Sequence, residues 1–115
     1  MDSKHLPIID WELAMQMAGK NRDIAEEILA LLIKTLPDDL SAINQSYDNQ
    51  QYHELAARLH KLHGALCYCG LPRLKTVVIK LENDVKNNHI NDLSILMDTL
   101  NDEAKLLLEQ YKLKM

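Results

Sequence analysis

Apolar residues recur at intervals of three and four along nearly the whole chain, and no segment sustains apolar–polar alternation. That period predicts helices throughout. A short first helix is expected from about Asp10 to Ala18, opened by an aspartate cap and ended near Gly19. Asn21 or Asp23 can cap a second, long helix carrying Ile24, Ile28, Leu31, Leu32, Leu36 and Leu40. Pro37 lies inside that pattern, but the apolar spacing continues to Ile43, which favours one kinked helix over two. The polar run SYDNQQ at 46–51 is a link, and a third helix is expected from about Gln51 to Cys69, stopped by Gly70. Pro72 suits the first turn of a fourth helix, which carries Leu74, Val77, Val78, Leu81 and Val85. After the stretch NNHIND, Asp92 is placed to cap a last helix with Leu93, Leu96, Leu100, Leu107 and Tyr111 in register. The expected fold is all-α: an antiparallel four-helix bundle with an additional short N-terminal helix as a lid.

Composition narrows this without changing it. A chain of 115 residues suffices for one core, so a single domain over 1–115 is expected. With no Phe, one Trp and four Tyr, that core must come from Leu, Ile, Val, Met and Ala, a palette that suits helices. A formal net charge of -4 argues against a nucleic-acid partner, which selects a basic face. No apolar run reaches the roughly 18 residues of a membrane span, and MDSKHLPIIDW has no apolar core of a secretory signal. Cys67 and Cys69 point in different directions on a helix, a poor geometry for a mutual disulfide. Two reduced thiols in a cytoplasmic protein are expected.

The candidate chemistry lies in HKLHGALCYCG, residues 60–70. Wound at about 100° per residue, Leu55, Leu59, Leu62, Leu66 and Cys69 share one buried arc. His60 lies roughly 140° from the centre of that arc and faces away from the core. Around it stand Ala56 and Ala57 one turn back, His63 and Gly64 one turn on, and Cys67 two turns on. Gly64 has no side chain in mid-helix, at a cost of about 1 kcal/mol relative to Ala. Either the surface there tolerates drift, or side chains have been cleared so that another macromolecule can approach the imidazole. No acid, base or substrate pocket in the sequence is matched to His60. A lone accessible histidine suits a phosphoryl carrier, because neutral imidazole is a good nucleophile near physiological pH. Two other readings stay open on the residues. His60, His63 and Cys67 share a face, with His53 two turns before, and His with Cys suits Zn²⁺; yet one helix rarely supplies a full tetrahedral set. The small residues also suit a non-catalytic helical interaction module. His5 and His89 are expected on the solvated surface, and Trp11 and Tyr68 in packing or rim positions. Met15 and Met17 fit either the core or an adaptable docking surface.

The stretch LHKLHGALCYCG followed by LPRLKTVVIKLE resembles the histidine-containing phosphotransfer (Hpt) domains of multistep His-Asp phosphorelays. The family pattern is H-x-x-K-G, with a small residue after the Gly, a second Gly some ten residues past the His and a Leu-Glu downstream. It falls here on His60, Leu62, Gly64, Ala65, Gly70, Leu81 and Glu82. With IDWELAMQMAG and the LLIKTLP run, the likeness is strongest to the C-terminal Hpt domain of BarA/GacS-type hybrid sensor kinases. It implies that His60 is the phospho-acceptor, taking a phosphoryl group from a receiver-domain aspartyl phosphate and passing it to a response-regulator aspartate. The family usually places Lys three residues after the acceptor; this chain has His63 there and Lys61 nearby, the implied phosphoryl-stabilising groups. Ala56, Ala57, Gly64 and Cys67 are the implied receiver-docking positions, joined by apolar positions of the first two helices. The receiver is expected to supply Mg²⁺, the acidic cluster and the basic residue, so the chain needs no cofactor and no metal of its own. Neither ATP binding nor autophosphorylation is expected, and no Gly-rich nucleotide loop occurs in the sequence. The isolated domain is expected to be a cytoplasmic monomer, or the cytoplasmic end of a membrane-bound sensor kinase. Met1 permits a free-standing protein, whereas the resemblance favours an excised domain.

Overall fold

A computed structural model describes residues 4–114, with Lys114 described by its backbone alone. Met1, Asp2, Ser3 and Met115 of the expected 1–115 unit lie outside the described residues. The described chain forms α1 (Trp11–Met17), α2 (Arg22–Asp48), α3 (Tyr52–Leu66), α4 (Pro72–Lys86) and α5 (Leu93–Lys114). Helices α2 to α5 make the bundle. α3 packs most extensively on α4, while α2 and α5 touch least among the neighbouring pairs.

The helix starts follow from local chemistry. Asp10 accepts from the Leu13 amide at 3.0 Å, and Asn21 accepts from the Ile24 amide at 3.1 Å, each satisfying an orphan donor of a first turn. Pro72 occupies the first turn of α4, where its missing N–H costs nothing. α2 runs unbroken through Pro37, an exposed position, in keeping with the one-helix expectation.

The link expected over 46–51 is shorter than the polar run suggests, because Ser46 is buried and Tyr47 packs on the core, which keeps α2 helical to Asp48. Two further expectations need correction. α3 ends at Leu66 rather than Cys69, and residues 67–70 form turns. The Cys67 amide is shared between His63 O at 3.2 Å and Gly64 O at 3.4 Å, and Gly70 then reverses the chain at φ +65°. The cause is tertiary: Gly70 must meet α1. Its carbonyl accepts from the Asp10 amide at 2.8 Å, and a Cβ on Gly70 would lie 2.5 Å from the Asp10 carbonyl oxygen. Only glycine satisfies both the left-handed backbone and that approach.

The second correction concerns α2. Ile24 and Leu31, expected in its apolar stripe, are exposed at 44% and 64%. The helix buries Ala25, Leu29, Leu32, Leu36 and Ile43 instead. Its apolar arc is wider than the seam the bundle can cover, so one edge faces outward.

The core matches the aliphatic palette: Leu29, Leu36, Ile43, Leu55, Leu59, Leu62, Leu66, Leu81, Leu100 and Leu107 are fully buried. Two polar pairs tie α5 to its neighbours. Asn44 and Asn101 exchange amide hydrogen bonds at 2.9 and 3.0 Å across α2 and α5. Arg73 on α4 donates from two nitrogens, at 2.9 and 2.5 Å, to Glu103 on α5, both side chains being largely buried. Among the described residues, no helix is long and apolar enough to cross a membrane.

Candidate functional site

The α3–α4 pair sets the site. α3 turns His60 and His63 toward one edge of the pair, and α4 places Glu82 opposite them. The His60 side chain is 71% exposed, although its Nδ1 lies 2.8 Å from Glu82 Oε2. His63 is half-buried, with its Nδ1 3.1 Å from Glu82 Oε1. The two rings stand edge to face at 6.3 Å. Lys86, one turn beyond Glu82, donates to Oε2 at 2.6 Å.

Glu82 is thus a buried carboxylate receiving three donors, its side chain 6% exposed. Burial pushes its carboxyl pKa up. Hydrogen bonds from Lys86, His60 and His63, with the Lys86 charge, outweigh burial and hold it below its ordinary value of 4.5. Near neutral pH the carboxylate is ionised and can only accept, so each Nδ1 facing it must carry the proton. In a neutral His60 the lone pair is then on Nε2, across the ring from the carboxylate. The arrangement presents one oriented imidazole nucleophile to solvent.

Sequence reasoning found no acid or base matched to His60, and the structure overturns that: Glu82 is the match. Its position carried a clue. Glu82 falls one residue after Leu81 and four after Val78, within the buried arc of α4, where a carboxylate requires partners. The sequence named Glu82 only as a motif position, without its pairing to His60, and missed Lys86 altogether.

The other predicted positions divide. Lys61 is exposed and makes no hydrogen bond or ion pair among the described residues; the cation at the site is Lys86. Around Gly64 a Cβ would meet nothing within 4 Å, so the approach to His60 is open there. Ala57 is exposed, Cys67 is half-buried, and Ala56 is half-buried against the core. The His60, His63 and Cys67 grouping weighed as a rival reading does not assemble; His60 and His63 instead meet Glu82 of α4, with one possible ligand atom from each lying within 4.8 Å of the others. Cys67 and His53 are outside that group. Cys69 is buried, which together with the nearby Cys67 raises its thiol pKa to about 11, and its Sγ donates to Ala65 O at 3.2 Å. It is a protonated packing residue.

The uncovered edge of α2, Ala65 near the end of α3 and the turn that follows it line an open apolar groove of about 350 Å³, with Ile28, Leu31, Leu32, Tyr68 and Cys69 among its walls. Tyr68 and Leu31 are its most exposed members, at 63% and 64%.

A helical bundle carrying an outward, accessible imidazole is the arrangement that a histidine phosphotransfer module requires. The family model described as "Hpt domain" matches residues 27–111, and the chain belongs to that family. It is a phosphorelay intermediate. The chain is 34% identical over 106 residues to the sensor protein GacS of Pseudomonas syringae pv. syringae, a match covering 87% of this chain and 12% of that protein. It is 29% identical over 79 residues to the signal transduction histidine-protein kinase BarA of Escherichia coli (strain K12), covering 69% of this chain and 9% of the relative. It therefore corresponds to only about a tenth of the length of these relatives. In fold it matches the crystal structure of the HPT domain from a sensor hybrid histidine kinase of Shewanella, with a TM-score of 0.75 and 24% identity over 94% of this chain and 96% of that one.

Proposed function

We propose that His60 is the residue that carries the phosphoryl group, accepting it on Nε2 from the aspartyl phosphate of a receiver domain. The observation that supports this most is the 2.8 Å contact between His60 Nδ1 and the buried Glu82 carboxylate on a side chain that is 71% exposed. The Nε2 lone pair attacks phosphorus, the N–P bond forms, and the P–O bond to the receiver's aspartate breaks, returning a free carboxylate. The His60 proton stays on Nδ1, so the ring gains positive charge during attack. Glu82 faces that proton and stabilises the charge as it develops. Transfer onward to a response regulator runs the same steps in reverse.

Mg²⁺ and the acidic residues that hold it come from the receiver, and this chain contributes the positioned nucleophile. In its protonated form His63 keeps Nδ1–H on Glu82 and donates from Nε2 toward the phosphoryl oxygens, and Lys86 outranks Lys61 as the nearby cation. The receiver docks over Ala57 and Gly64 and seats an apolar element in the groove beside Leu31 and Tyr68. Ala56 and Cys67, half-buried, shape the edge of that surface. The match to parts of kinases named GacS and BarA supports partners of two kinds: a receiver of a hybrid kinase and a separate response regulator. It also supports a cytoplasmic placement.

Incubation with a phosphorylated receiver tests this reading. The expected product is a base-stable, acid-labile phosphate on the wild-type chain, absent from His60→Ala. A His60→Ala variant that accepts phosphate as fast as wild type would overturn it.

A further inference from the structure

We infer that His60, His63 and Glu82 form a reversible site for a borderline divalent transition metal, with Zn²⁺ as the type, whose occupancy silences the His60 nucleophile. The silencing rests on the phosphorelay role proposed above; the site itself rests only on geometry. Two imidazole nitrogens and a carboxylate oxygen are the ligand types Zn²⁺ takes in three-ligand sites with an open fourth position. Zn²⁺ bond lengths of about 2.0–2.1 Å put neighbouring ligand atoms of a tetrahedron about 3.3 Å apart. The Glu82 oxygens already stand 2.8 Å from His60 Nδ1 and 3.1 Å from His63 Nδ1. One ligand atom from each of the three residues lies within 4.8 Å of the other two. Small side-chain rotations therefore suffice, because the ligands sit on two packed helices whose spacing is set by the core. The exposure of His60 leaves the fourth position to water. Mg²⁺ prefers an all-oxygen octahedral shell, so the Mg²⁺ a receiver requires does not compete for the site.

The metal and the phosphoryl group demand opposite tautomers of His60. Nucleophilic Nε2 requires the proton on Nδ1, donated to Glu82. A metal bound at Nδ1 needs that nitrogen's lone pair, so in the neutral ring the proton moves through solvent to Nε2 and the nucleophile is lost. The metal also draws on the Glu82 charge that would stabilise the attacked ring. Lys86 opposes the metal, since its ammonium holds Oε2 at 2.6 Å and must swing aside.

Calorimetric titration of Zn²⁺ into the wild-type chain, with millimolar Mg²⁺ present, tests the site. One equivalent is expected, weakened at least about tenfold by His63→Ala and by Glu82→Gln, unchanged by Cys67→Ser and tightened by Lys86→Gln. Nitrogen-15 NMR of the wild-type imidazoles needs no variant: the His60 proton is expected on Nδ1 without Zn²⁺ and on Nε2 with it. Absent binding, binding indifferent to His63→Ala and Glu82→Gln, or an unmoved His60 proton would overturn the site. For the silencing, saturating Zn²⁺ is expected to block phosphoryl acceptance by wild type while His63→Ala keeps most of its own metal-free rate. Bound Zn²⁺ with undiminished wild-type transfer would overturn it. Failure of His60 to accept phosphate without Zn²⁺ would instead sink the relay reading and leave the metal site standing on calorimetry.

Discussion

Glu82 is the residue on which the site turns. Its side chain is 6% exposed and accepts from two imidazoles and an ammonium, so its charge sets the tautomer of both histidines. Glu82→Gln keeps the shape and an acceptor but removes the charge. A charge-assisted hydrogen bond exceeds a neutral one by about 1.4 kcal/mol, so phosphoryl acceptance by this variant should be roughly tenfold slower. Single-turnover transfer from a phosphorylated receiver measures this, and an unchanged rate would show that the carboxylate does not act on the ring. The same residue gives the fold an acid limb. Its folded pKa lies below the ordinary value, so its contribution to stability is present above the unfolded pKa. That contribution is lost as pH falls through the lowered folded value. Melting temperatures below about pH 5 should therefore fall more steeply for wild type than for Glu82→Gln.

Among the elements, the α3–α4 pair and the turn joining it carry the candidate site, and two glycines in it have opposite physics. Gly64 is helical, and a Cβ there would meet nothing within 4 Å. Gly64→Ala should raise stability by up to about 1 kcal/mol, whereas Gly64→Gln should slow transfer by covering the approach to His60. Gly70 sits at φ +65° with the Asp10 carbonyl oxygen 2.5 Å from any Cβ. Gly70→Ala should cost about 3 kcal/mol through backbone strain and the clash with α1. Thermal melts of the two alanine variants should move in opposite directions. The period of three and four exposed the helix faces in the sequence, and the turn residues exposed most boundaries. The early end of α3 was hidden, because it is imposed by α1, a contact far away in sequence.

Across the whole molecule, stability and docking are separately placed. The Arg73–Glu103 pair links α4 to α5 away from His60, with the two side chains 14% and 8% exposed. Arg73→Leu leaves a buried carboxylate unpaired and should cost about 3–5 kcal/mol, read as a lower denaturation midpoint. Leu31 and Tyr68 are exposed on the groove edge, so a Leu31→Glu/Tyr68→Glu variant should melt close to wild type. Its transfer should become slow at low receiver concentration and recover as the receiver is raised, the mark of weakened docking rather than damaged chemistry.

Periodicity, caps and turn residues are local, and they were enough to specify an all-helical bundle, an aliphatic core and an outward His60. The motif around His60 was legible for the same reason, since its spacing is a property of one helix. The partnership of His60 and His63 with Glu82 and Lys86 was not, because it joins positions about twenty residues apart across two helices. Nor was the groove, since whether Leu31 is covered depends on how many neighbours α2 finds. Helix formation follows from nearby residues, whereas the charge that orients the nucleophile and the surface left for a partner emerge only when the helices pack.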